Sequence, residues 1–317
     1  MPKCRIFFVT DVHGSDRCFR KFINAGKFYK VGVLVLGGDI TGKMIVPLIR
    51  QENGDYVCEY GGTRYTLKSK EQLDEAIKNI KDSGFYPYVT DPKEFEELSA
   101  KPELVTGLFK RLMRESVDGW MKLAEERLKG SGISCYVSPG NDDFFDIDQA
   151  LNSATYVINP EEKVVQIDSE HEMITLGYAN HTPWNSPREV DESVLQEKID
   201  VMAARVKDMK KALFNLHVPP INTVIDQAPK LDQDLKPVIS GGSVSMISAG
   251  STAVRNSIER YQPLAGMHGH IHESRGVVKI GRTVCFNPGS EYNSGILKGL
   301  LLEVEGAKIN SYLLTSG

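Results

Sequence analysis

The chain lacks several features that would each decide its class. It has no CxxC pair. Its five cysteines, Cys4, Cys18, Cys58, Cys135 and Cys285, are scattered and odd in number. That argues against a disulfide framework and reads as buried thiols in a reducing compartment. It has no long apolar run. Ile6-Phe7-Phe8-Val9 is ended by Asp11, too soon for a signal h-region or a transmembrane span, so the expectation is a cytoplasmic protein. It has little net charge. Thirty-eight Lys and Arg against 42 Asp and Glu give −4, without the basic excess of a dedicated nucleic-acid binder, though a locally basic groove stays open. There is no internal repeat, no low-complexity tract and no G-x-S-x-G elbow that would signal a serine nucleophile. With 41% hydrophobic and 25% charged residues, neither disorder nor a membrane bundle fits. What remains is a 317-residue chain, long enough for about two domains or one large α/β domain with an insertion.

The patterns that are present begin with a buried strand, Cys4 to Thr10. A short helix capped by Ser15 runs to Gly26, and a second buried strand spans Val31 to Leu36. Strand, helix and strand in so short a stretch predict a parallel βαβ unit. Residues 44–68 then hold three short β-like runs broken by Asn53-Gly54 and Gly61-Gly62, both hairpin signals. A helix is expected from Ser69 to Lys81 and a longer one from Glu103 to Gly130, where Val105, Phe109, Met113, Val117, Trp120, Ala124 and Leu128 step by three and four. The next buried strand, Ile133 to Val137, comes far later than an ordinary crossover allows. The organisation expected is therefore one domain over 1–43 and 131–317, with an α+β subdomain inserted over 44–130 that could cover the rim as a lid or serve as a packing or dimerisation element. Beyond it, strand-like stretches fall near 155–158, 163–167 and 173–178. A helical period spans Glu189 to Lys211, with Leu195, Ile199, Met202, Val206, Met209 and Leu213 on one face. The strand Ala212 to Leu216 delivers His217, and residues 218–250 read as a long functional loop. A helix from Ser251 to Arg260 leads to the strand before His268, and closing strands follow from Gly276.

The informative pattern is where His, Asp and Asn fall. Asp11 and His13 follow the first strand, Asp39 the second, Asn141 the third, His217 a fourth, and His270 and His272 a fifth. Residues two apart on an extended chain share a face, and in open α/β sheets ligands bind beyond the C-terminal strand ends. These seven side chains, each just past a predicted buried strand, would converge on one rim. Gly14, Gly38, Gly140 and Gly269 accompany them and allow tight turns that hold ligands on rigid strand ends.

The order Asp11-Val12-His13, Gly38-Asp39, Gly140-Asn141-Asp142-Asp143, His217 and Gly269-His270-Ile271-His272, followed by Asn287-Pro288-Gly289-Ser290, resembles the calcineurin-like metallophosphoesterases. Within that superfamily it is closest to the Icc-related predicted phosphoesterases. The likeness runs from residue 4 to about 300 and skips the insertion. It implies a four-layer α-β-β-α sandwich and a metal-dependent hydrolysis of phosphate esters, diesters ahead of monoesters. It also implies two divalent metals. Asp11, His13, Asp39 and His272 would hold one; Asp39, Asn141, His217 and His270 would hold the other, with Asp39 bridging. The mixed N/O donor set suits Mn, Fe or Zn. Asn141 and Asp142 would bind substrate.

At Asp142 the resemblance breaks, because the family usually has His there to protonate the leaving oxygen. Two readings stay open. Asp142 is kept protonated by Asp143 and serves as the catalytic acid, or it gives no acid help because nearby cations keep it ionised; the second is preferred. Weighed against the metal reading, Asp39 and Asn141 are each common turn residues, and His13 or His217 alone could be structural. His268 has no place in the motif and reads as structural, His171 as a surface residue, and His181 as a loop residue able to face the site. Two other functions stay in view: a nuclease acting on DNA, and an inactive binding scaffold of the same fold. The partners expected are a small phosphoester, with nucleic acid disfavoured and no membrane, and an oligomer could form through the insertion.

Overall fold

The computed structural model describes residues 3–317. The first sheet runs in the order Lys308–Ser316, Lys298–Glu305, Cys4–Val9, Val33–Gly37, Ser134–Ser138. The last three are parallel, with Ile6 opposite Val33 and Val33 opposite Ser134. The second sheet runs Gly276–Ile280, Thr283–Asn287, Ala265–Met267, Leu213–Leu216, Glu172–Leu176, Val164–Gln166. Its four central strands are parallel and both edges antiparallel.

The inner strands Cys4–Val9 and Val33–Gly37 are apolar at nearly every position because both faces are covered. Ile6, Phe8, Val33 and Val35 share a buried cluster with Met173, Leu213, Met267 and Phe286 of the second sheet. The alternate residues Phe7, Val9, Leu34 and Leu36 pack instead with Phe19 and Phe22 of the helix Asp16–Phe28. On the far side, Ile174, Phe214 and Leu216 meet Leu195, Ile199 and Val254 from the helices Glu192–Ala203 and Thr252–Tyr261. Helices cover the outer face of each sheet, and the mixed α/β class stands.

The segment 44–130 divides into two parts. Residues 45–90 form a separate sheet, ordered Thr63–Leu67, Tyr56–Tyr60, Ile45–Arg50, Tyr86–Thr90, over a small cluster of its own. The helix Pro102–Leu128 instead buries Met113, Val117, Trp120 and Ala124 in the first sheet's outer core. Trp120 stacks on Phe19 at 4.3 Å and donates to Asp16.

Some expectations shift. The helix expected to reach Lys211 stops at Ala203. Asp208 accepts from the Lys210 amide and caps a short 3-10 turn, a local bond that competes with the helix. Leu213 is buried from a strand and not from that helix. The stretch near 155–158 forms only an isolated bridge from Tyr136 to Ile158. Tyr86–Thr90 carries Pro87 and still pairs, because it is an edge strand. His171 is buried, not on the surface. Its ring nitrogens reach Asp168 at 2.8 Å and the Gly306 carbonyl at 2.8 Å. No helix among the described residues is long and apolar enough to cross a membrane.

Candidate metal centre

The parallel strands of both sheets end on the same rim. Asp11, Asp39, Asn141, His217 and the 268–272 turn each follow a strand end, and the structure brings all seven expected side chains together. Asp11, His13, Asp39 and His270 have φ of 54°, 38°, 49° and 66°. Side-chain-bearing residues adopt this left-handed region at a cost, and such strain concentrates at functional sites. Two glycines make room for the cluster. At Gly38, where φ is +120°, a Cβ would lie 2.3 Å from His217 Nδ1. At Gly140 it would lie 2.2 Å from Asp39 Oδ1.

Within the cluster, His13 Nε2 lies 3.1 Å from His272 Nε2, and His272 Nε2 lies 3.4 Å from Asp11 Oδ1. Asp39 turns its two oxygens to different histidines: Oδ2 is 3.7 Å from His13 Nε2 and Oδ1 is 3.4 Å from His217 Nε2. His270 Nδ1 is 2.7 Å from Asn141 Oδ1. The ligand atoms of Asp11, His13 and His272, and those of Asp39, His217 and His270, each fall within 4.8 Å of one another.

The donors fit metal ions. Two nitrogens bound to one ion at about 2.1 Å sit about 3.0–3.4 Å apart, which matches the His13–His272 approach. His217 Nδ1 faces the Gly37 carbonyl at 3.1 Å, which sets the tautomer and turns Nε2 inward, where it has no hydrogen-bond partner. Charge in the cluster points the same way. Burial works against a proton on His217, yet Asp39 and Asp11 hold its pKa up at about 10. Asp11, despite burial, is held at about 2 by its His272 hydrogen bond and by the charge of His217. Burial pushes His13 and His270 down to about 4, leaving their lone pairs free near neutral pH. A field that holds a proton on His217 also attracts divalent cations.

Around the cluster, loops are tied by their side chains. The Asp143 carboxylate is fully buried and accepts from the Ile40, Thr41 and Gly140 amides and the Thr41 hydroxyl. Burial, then the charge of Asp39, pushes it up to about 6 against those donors. Asn287 donates to the Ile271 carbonyl at 3.0 Å, and Ser290 donates to the Asp11 carbonyl at 2.6 Å. The Asn-Pro-Gly-Ser turn thus pins both His-bearing loops. His268 is buried with Nδ1 on the Leu216 carbonyl at 2.7 Å, a structural placement. His181 lines the same cavity as Asp39 and His270 and pairs with Asp191 at 3.1 Å.

Sequence reasoning missed the partner of Asp142. Lys43 Nζ lies 2.5 Å from Asp142 Oδ2, and Ser186 Oγ donates to Asp142 Oδ1 at 2.6 Å. Asp143 bonds the 40–41 and 140 loops, so the neighbour expected to protonate Asp142 is spent elsewhere. The available signal was a lysine four residues past Asp39, at the root of the insertion. Tyr292, also missed, packs its ring at a tilt against that of His13, the centroids 4.7 Å apart.

The fold and the cluster together describe an α/β protein with a carboxylate–imidazole centre at its strand ends. No model of a known protein family matches the chain. An uncharacterized protein of Methanocaldococcus jannaschii is 34% identical over 152 residues, 47% of this chain and 61% of that protein. The chain therefore spans less than two thirds of that relative's length. One solved structure superposes with a TM-score of 0.59 at 16% identity, over 99% of both chains. TT1561 of Thermus thermophilus superposes at 0.55 with 11% identity, over 100% of this chain and 99% of that one. These similarities are of fold.

Proposed function

We propose that the chain is a metal-dependent phosphoesterase acting on small phosphate esters, diesters ahead of monoesters. The observation that carries this is Asp39, whose two oxygens face His13 and His217 at 3.7 and 3.4 Å, as a carboxylate shared by two ions must. Asp11, His13, Asp39 and His272 would hold one divalent cation, and Asp39, Asn141, His217 and His270 the other. Mn, Fe or Zn suits these donors. Bound there, the pair would polarise phosphoryl oxygens and make water nucleophilic near neutral pH. The motif resemblance to calcineurin-like metallophosphoesterases supports the same reading.

The chain's own residues do the rest. The Asn287 and Ser290 bonds hold the Asp11 and His270 loops in register, and the Asp143 carboxylate holds the Asp39 loop against Gly140. Asp142 accepts on both oxygens, from Lys43 on one and from Ser186 on the other. It is a positioning residue that holds the Lys43 ammonium beside the ligand cluster, where a substrate phosphate would enter. This favours substrates whose leaving groups need little protonation.

A nuclease fits less well. Among the side chains lining the cavity at the cluster, Lys43 is the single Lys or Arg, whereas a nucleic-acid groove matches its phosphates with several cations. An inactive scaffold would be expected to lose a ligand, and all seven are in place. Of residues 45–130, Phe109 alone lines the cavity, which favours packing or self-association over a lid. Shortening the Tyr56–Leu67 hairpin is then expected to leave KM unchanged.

The test is hydrolysis of bis-p-nitrophenyl phosphate with added Mn²⁺ and with chelator, alongside metal analysis. Metal-dependent turnover with about two equivalents bound is expected. Absence of both turnover and metal uptake would overturn the proposal.

A further inference from the structure

A cavity of about 1360 Å³ opens from the ligand cluster and extends between the 180–187 loop and the 221–250 segment. A phosphate group fills a small part of it, and drug-sized ligands occupy pockets of about 300–1,000 Å³. What lines the remainder defines the rest of the ligand.

One wall is aromatic. Trp184 and Phe145 line the cavity and are 62% and 50% exposed. The Arg188 guanidinium lies 4.2 Å from the Phe145 ring centre, covering one face of that ring. Aliphatic side chains, Ile221, Leu231, Leu235 and Ile247, line the cavity as well. Their segment is also a built element. Asp226, fully buried, accepts from the Asn222, Thr223 and Gly250 amides, which closes the base of the 221–250 segment. Gln227–Pro229 then pairs with Met246–Ser248.

Charge narrows the ligand further. Lys43 is the lone Lys or Arg on the lining, and it is already paired with Asp142; Glu192 and Glu273 add negative charge. Nothing in the cleft would neutralise a second or third phosphate, and bound polyanions need about one cation per phosphate. A ligand that satisfies the lining and the charge count has one anionic phosphoryl group and an uncharged body that stacks.

We propose that this cavity takes a singly charged phosphodiester carrying an apolar, ring-bearing group, the phosphoryl at the ligand cluster and the ring against Trp184 and Phe145. The proposal rests on the phosphoesterase reading for the phosphoryl end, while the ring subsite stands on the cavity walls. Aromatic stacking of this kind is worth about two- to tenfold in affinity.

The test compares diphenyl phosphate with dimethyl phosphate on the metal-loaded full chain, by calorimetry and by tryptophan fluorescence. The chain has two tryptophans, so the emission of Trp184 is the difference between wild type and Trp184→Phe. Diphenyl phosphate is expected to bind about two- to tenfold more tightly and to perturb the Trp184 emission. The preference should shrink in Trp184→Ala, whose KM for bis-p-nitrophenyl phosphate should rise more than its kcat falls. Equal binding of the two diesters, an unchanged preference in Trp184→Ala, or tighter binding of an oligothymidylate would each overturn the proposal. Failure of the two readings is distinguishable. Tight diphenyl phosphate binding with a Trp184 response but no metal-dependent hydrolysis would remove the phosphoesterase reading and keep the ring subsite. Hydrolysis without any preference for rings would do the reverse.

Discussion

Replacing Gly140 with alanine tests whether the strand-end turns hold the metal ligands in place. The added Cβ would lie 2.2 Å from Asp39 Oδ1 and 2.3 Å from the Asp39 amide nitrogen. Carbon–oxygen contacts begin at about 3.3 Å, so Asp39 or the 139–141 turn has to give by about 1 Å. Asp39 cannot swing aside freely. It is 2% exposed, its Oδ1 accepts from the Asp142 amide at 3.0 Å, and the same oxygen faces His217 at 3.4 Å. The displacement therefore passes into both halves of the cluster. Overpacking of this kind costs about 1–3 kcal/mol, and a misplacement of about 1 Å in a catalytic constellation costs on the order of 10²-fold in rate. The expected outcome for Gly140→Ala is a folded protein with kcat on bis-p-nitrophenyl phosphate down about a hundredfold and reduced metal content by elemental analysis. Gly32→Ala is the control, since nothing lies within 4 Å of a Cβ there, and its stability should stay within about 0.5 kcal/mol of wild type. Wild-type kcat and full metal content in Gly140→Ala would refute the reasoning.

Asp39→Asn removes the shared negative oxygen. It should lose at least about a thousandfold in kcat and bind both metals more weakly, so selective loss of one ion by elemental analysis would count against bridging. Lys43→Met leaves Asp142 as an unpaired anion beside the incoming phosphate, and activity should fall about tenfold or more while Asp142→Asn stays mild. The double variant should recover part of the loss, and equal behaviour of the two single variants would contradict the positioning role. With both Asp142 oxygens engaged by Lys43 and Ser186, rates should depend steeply on leaving-group pKa, and Asp142→His should gain activity on monoesters; a flat dependence in wild type would exclude this. Asn287→Leu removes the bond to the Ile271 carbonyl and should cost about 1–3 kcal/mol of stability together with metal affinity, as read by thermal melts with and without Mn²⁺.

The fold was legible where burial on two faces forces continuous apolar runs. Cys4–Val9, Val33–Gly37 and Ser134–Ser138 match expectation within two residues because each must fill two cores at once. Legibility failed where local chemistry overrides period. The 189–211 pattern continues in register past Ala203, yet Met209 and Leu213 serve a turn and a strand. Burial there is supplied by the sheet, so a helical period carries over by coincidence. His171 was misread for a related reason. Its burial depends on Asp168 and on the Gly306 carbonyl, 135 residues away, and no local pattern announces a partner that distant.

The candidate site shows the same division in sharper form. Each of its seven expected donors follows a strand end, so strand prediction alone assembles them. Lys43 follows no strand end and carries no motif, and its role is defined only by where Asp142 comes to lie. That dependence explains the departure at Asp142. A histidine there would bring its own positive charge to the phosphate. Here the charge comes from a lysine rooted at the start of the insertion, and the aspartate holds it, 2.5 Å away. Cationic character is retained beside the cluster, but on an ammonium that, despite burial, Asp142 holds above its ordinary pKa, so it gives up its proton far less readily than an imidazole. Electrostatic help to a bound phosphoryl group therefore survives the exchange, while proton donation to a poor leaving group does not. Such a site would select its substrates by leaving group at one end of the cavity and by the aromatic wall at the other.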